Sequence, residues 1–87
     1  MVKEMEQLQQ TVAWAQEELD FPDFLAAQIE AMAASGADYS PFRQRLEELR
    51  SLVADYHTYA EACCEKLGTS ANEVKAFIAW LRLQAEG

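Results

Sequence analysis

His57, Glu61 and Cys64 fall at i, i+4 and i+7, the spacing that would align an imidazole, a carboxylate and a thiol along one face of a helix. That set could hold a metal or activate a thiol. A zinc site, however, normally draws four ligands from CxxC-like spacings, and this chain has one histidine and two cysteines, adjacent at Cys63 and Cys64. A Cys64 thiol activated by His57 would lack any visible oxyanion donor. Di-iron chemistry needs Glu-x-x-His on two helices, and Ala54 stands where the glutamate before His57 would be. Neighbouring cysteines rarely bridge each other, and free thiols fit a reducing compartment. The residues therefore predict no catalytic set, no metal and no cofactor, with Cys63 in the core and His57 and Cys64 at its edge.

Two stretches carry further resemblances. Cys63, Cys64, Leu67, Gly68, Val74 and Phe77 occupy positions that a helix-turn-helix fills with small or apolar residues around a turn glycine. The resemblance implies a DNA reader, yet its second helix would present Ala71, Asn72, Glu73, Lys75, Ala76 and Ala79, only one of them cationic. Gly36-Ala37-Asp38 followed by Ser40 resembles the Gly-Ala-Asp-Ser-Leu site at which acyl carrier proteins bear phosphopantetheine, and Val74, Ile78 and Leu81 are similar to that family's final helix. Here Tyr39 intervenes before the serine and Pro41 replaces the leucine, and Ser40 reads better as a helix cap.

Charge narrows the partners. The 87 residues carry a formal net charge of -8. The first 35 hold Lys3 against Glu4, Glu6, Glu17, Glu18, Asp20, Asp23 and Glu30. Such a surface repels phosphate backbones and anionic lipid and favours basic partners, so no direct nucleic-acid binding is expected. No run of about 18 apolar residues and no basic segment before an apolar core is present, which predicts a cytoplasmic chain with no membrane span or secretory signal.

The elements that must position these residues are all helical. Met1, Met5, Leu8, Val12, Ala15 and Leu19 fit an a/d seam, predicting a first helix over 2–19. Pro22 interrupts it, leaving either a break or a kink, and Asp20 can cap the next helix. Phe21, Phe24, Leu25, Ile29, Met32 and Ala33 form the stripe of that second helix, over 21–35 and ended by Gly36. Ser40-Pro41 opens a third, in which Phe42, Leu46, Leu49, Val53, Tyr56, Ala60, Cys63 and Leu67 sustain heptads to Gly68. That predicts a spine over 41–67, about 40 Å long at 1.5 Å per residue. Ser70 to Glu73 has the form of a capping box, and the last helix, over 71–85, is apolar nearly all round.

One helical domain over 1–87 is the expectation, either a four-helix bundle or a helical hairpin with a long third helix and the last packed across it. The function expected is non-enzymatic protein interaction, of adaptor, small-chaperone or inhibitor type. Trp80, Leu83 and Trp14 are the candidate contacts. The acidic residues of the first two helices supply an alternative, an acidic mimic of nucleic acid that inhibits a nucleic-acid-binding protein. A helix-turn-helix regulator ranks third. The heptads of the third helix make a second copy of the chain a candidate partner.

Overall fold

Met5, Leu8, Val12 and Ala15 recur at helical spacing and are all buried in α1 (Lys3–Glu18). The computed structural model describes residues 2–57 and 68–87. Among these the protein is all-α. α2 spans Asp23–Ala34, a 3-10 turn Ser40–Phe42 leads into α3 (Arg43–Ala54), and α4 spans Ala71–Glu86.

Helices α1 and α2 are separate elements. Asp20 has φ of +56°, a left-handed conformation that Asp tolerates better than most residues, and the Phe21 N–H returns to the Ala15 carbonyl at 3.2 Å. Asp20 thus reverses the chain instead of capping the next helix, whose N-cap is Pro22. Phe21 stays outside α2 because it is spent as a plug. It is buried and meets Tyr56 edge-on at 5.2 Å between ring centroids.

Leu25, Ala26, Ile29 and Met32 form the buried face of α2. Phe24, expected in that stripe, is 54% exposed. It sits about 100° round the helix from Leu25, and the core takes only one of the two faces. Gly36 does end the helix region, with φ of +78°.

Entry into α3 also differs from expectation. The Asp38 carboxylate accepts the Ser40 N–H at 2.9 Å, and Pro41 sits in a 3-10 turn instead of at the first position of an α-helix. The α-helix begins at Arg43.

The larger correction is at the other end of α3, which stops at Ala54 and not at Leu67. The Tyr56 N–H tightens onto the Val53 carbonyl at 3.1 Å, and the chain then pairs with a segment distant in sequence. His57 N–H donates to the Thr69 carbonyl and Thr69 N–H to the Asp55 carbonyl, both at 3.0 Å. These bonds satisfy backbone groups that a continuing helix would have used internally. Residues 58–67, the remainder of the expected spine, lie outside the described residues. Gly68 makes the crossing sterically feasible: its φ is +144°, and a Cβ there would stand 2.6 Å from the Asp55 carbonyl oxygen.

α4 opens as the capping box predicts on the Ser70 side, whose hydroxyl accepts the Glu73 N–H at 3.2 Å. Its Val74, Ile78 and Leu81 join Leu8, Ile29, Leu46 and Leu49 in one contiguous apolar core. α1 packs most extensively on α3 and also meets α2, while α4 meets α2 and α3.

Candidate interaction surface on α3 and α4

α4 carries two apolar faces. Val74, Ile78 and Leu81 fill the core, whereas Ala76, Phe77, Trp80 and Leu83 form a second stripe at spacings of three and four. Trp80 lies two residues from Ile78, hence about 200° round the helix axis. It is 44% exposed, and Leu83 is 66% exposed. Both sequence-predicted contacts on this helix are therefore outside the core.

Trp80 is held in place by its neighbours. Phe77 meets it edge-on at 6.0 Å between centroids, and the Arg45 guanidinium of α3 lies 5.9 Å from its ring centroid. Arg45 is itself fixed by Glu48, one turn on, at 2.6 Å. Leu52, Ala76 and Phe77 line the groove between the helices, with Arg45, Glu48, Glu73 and Trp80 also on its walls, enclosing about 510 Å³. Arg45 was not legible as part of the site, since only the packing of α3 against α4 brings it to Trp80.

The other candidates stand apart from this groove's lining. Trp14 on α1 is 47% exposed. Glu6, Glu17, Glu18, Asp20, Asp23 and Glu30 are exposed or partly so, and four of them cluster in sequence around the α1–α2 corner. Glu4 is half-buried, with Arg43 at 3.8 Å. Asp23 accepts from Gln16 at 2.8 Å and Glu30 from Gln9 at 3.2 Å, so these two carboxylates tie side chains together as well as facing solvent.

The perturbed titrations lie elsewhere. Burial, and then a hydrogen bond from its hydroxyl to Glu86, pushes the Tyr39 phenol well above its ordinary value. Hydrogen bonds from Arg82 and then Tyr39 hold the Glu86 carboxyl below its own. This cluster joins the carboxyl end of α4 to the α2–α3 connection, with Tyr39 and Glu86 47 positions apart. His57 is exposed and outside α3, and the other members of the set read from the sequence, Glu61 and Cys64, lie outside the described residues along with Cys63. Among the described residues, no group of three His, Cys, Asp or Glu is placed to hold a metal ion. No helix among them is long and apolar enough to cross a membrane.

Comparison with protein-family models, with curated proteins and with solved structures finds no match.

Proposed function

We propose that this chain is a non-enzymatic interaction module that engages another protein through the outer faces of α3 and α4. The observation that carries this reading is the exposed Trp80–Leu83 stripe beside a groove floored by Leu52, Ala76 and Phe77. Large aromatic side chains in partly formed pockets are the usual anchors of binding energy, and Trp80 is already oriented by Arg45 and Phe77. Glu48 and Glu73 on the groove walls, in a chain of net charge -8, favour a partner with basic residues around an apolar insert. Adaptor, small-chaperone and inhibitor roles all use such a face, and the adjacency of Cys63 and Cys64 in sequence, poorly suited to a mutual disulfide, favours a cytoplasmic setting. Each helix packs on two others, which supports a four-helix bundle as the frame of the surface over an open hairpin.

The test compares the wild-type chain with a Trp80→Ser/Leu83→Ser variant as bait, after circular dichroism has shown equal helicity. Partners retained by the wild type and lost by the variant support the reading. Identical captures by both would refute it. The alternative, an acidic mimic acting through Glu17, Glu18, Asp20 and Asp23, is favoured by the grouping of all four around one corner. It predicts binding that survives the Trp80/Leu83 variant and collapses between low and physiological salt.

A further inference from the structure

The heptad residues of α3, Leu46, Leu49 and Val53, are spent in the chain's own core, so a second copy cannot pack against them. α4 offers a seam instead. Ala76, Trp80 and Leu83 follow one another at spacings of four and three on its outer side, and all three are exposed. Their sizes suit a copy of themselves. Ala76, with Phe77 and Leu52, opens the groove of about 510 Å³, whereas Leu83 stands outside that lining as the most exposed large apolar side chain among the described residues. Trp80 lies between this hole and this knob. A two-fold axis perpendicular to α4 at Trp80 sets Leu83 of each copy at the level of Phe77 and Ala76 of the other, which is the self-complementarity an isologous interface needs.

Charge is segregated in the same sense. Lys3 is the only cation on α1 and α2, against four glutamates on α1 and Asp23 and Glu30 on α2. On α3 three arginines, and on α4 Lys75 and Arg82, face two glutamates on each helix, a slight cationic excess. The two sides are opposite, since α1 and α4 each pack on both α2 and α3. Two copies joined through α3 and α4 therefore meet on their least acidic side. The chain measures 38 × 23 × 21 Å, so the acidic sides of such a pair stand well beyond a Debye length of about 8 Å at physiological salt.

We infer that two copies of this chain pair antiparallel through α4 about Trp80, each inserting Leu83 into the groove that Leu52, Ala76 and Phe77 form on the other. The inference rests on the reading of this face as an interaction surface, and adds that a second copy covers it until a partner displaces that copy.

The experiment is sedimentation equilibrium of the full chain at about 150 mM salt, over a concentration series from roughly 5 to 500 μM. A monomer–dimer equilibrium with Kd on the order of 10 to 100 μM is expected, in keeping with a small interface. Leu83→Ala removes the knob and Ala76→Leu fills the hole, and each should weaken the dimer about tenfold with helicity unchanged, since both positions are exposed. Combined, Ala76→Leu/Leu83→Ala sets a knob opposite a hole again and should recover most of the loss. A chain that stays monomeric at about 500 μM overturns the inference whether or not the variants fold. So does a dimer that neither single variant weakens, or a double variant as weak as the two single losses added together. The capture of other proteins with Trp80→Ser/Leu83→Ser is a separate measurement, so the dimer can fail while the partner reading stands, and the reverse.

Discussion

Tyr39 ties two ends of the molecule together through one hydroxyl. Its ring is buried and its O–H donates to Glu86, which Arg82 also grips with two N–H groups at 3.0 and 3.1 Å. Tyr39→Phe should therefore cost about 1 to 2 kcal/mol in urea unfolding, the loss of a hydrogen bond to a charged acceptor that water can still solvate. The pH dependence comes from the two directions. Glu86 is lowered from 4.5, so its contribution is present above that value and lost as pH falls through the lowered one. Tyr39 is raised from 10.0, so its contribution is full below pH 10 and lost as pH rises through the raised value. Neither of these two contributions changes between those limits, and in Tyr39→Phe the alkaline decline above pH 10 should be shallower than in the wild type. A variant with an unchanged alkaline limb would show that the hydroxyl bond contributes nothing. Glycines separate two other effects. At Gly36 a Cβ meets nothing within 4 Å, and alanine costs only the left-handed conformation, about 1 kcal/mol. At Gly68 the same change drives a Cβ against the Asp55 carbonyl and should cost about 2 to 3 kcal/mol. Equal losses for Gly36→Ala and Gly68→Ala would contradict the close crossing.

At the level of elements, the limits of sequence reasoning have a physical cause. The cores of α1 and α4 were legible because Met5, Leu8, Val12 and Ala15, and then Val74, Ile78 and Leu81, are buried where helical periodicity puts them. The Ser70 cap was legible because a cap is a local device. Its removal by Ser70→Ala should cost about 1 kcal/mol and fray the start of α4, seen as faster amide exchange at Glu73 and Val74. The end of α3 was not legible. Val53 and Tyr56 are both buried, so the heptad spacing remained correct for burial after the helix had ended. What stops the helix is hydrogen bonding of Asp55 and His57 to Thr69, a pairing between chain segments that no local pattern encodes. Gly68 drew attention as a helix stop; its steric role is to let these backbones meet. Likewise Ser40 looked like a cap, but it lies inside the 3-10 turn, and α3 begins three residues later at Arg43 with Phe42 as its N-cap and no side-chain cap. Trp80 and Leu83 could be singled out from the sequence as candidates, but only the choice of core face by Ile78 and Leu81 decided that they point outward.

For the whole molecule, charge and the exposed stripe on α4 make opposite demands on a partner, and salt separates them. A chain of net charge -8 repels a second copy of itself, so self-association through Trp80 and Leu83 must overcome that repulsion and should strengthen as salt screens it. Binding to a basic protein should weaken over the same range, because the same screening removes attraction. Folding stability should behave like self-association. The ion pairs within α3 and α4 are surface pairs of small worth, so relief of general repulsion should dominate. Raising salt from about 10 mM to 150 mM, where the Debye length contracts from roughly 30 to 8 Å, should therefore raise the melting temperature by a few degrees. Sedimentation equilibrium over the same salt range then reads the association. A dimer that appears with rising salt and disappears in Trp80→Ser/Leu83→Ser would place the stripe at a self-association surface. A chain that stays monomeric at all salts, while a captured partner is released as salt rises, would assign the surface to a basic partner and exclude the second copy.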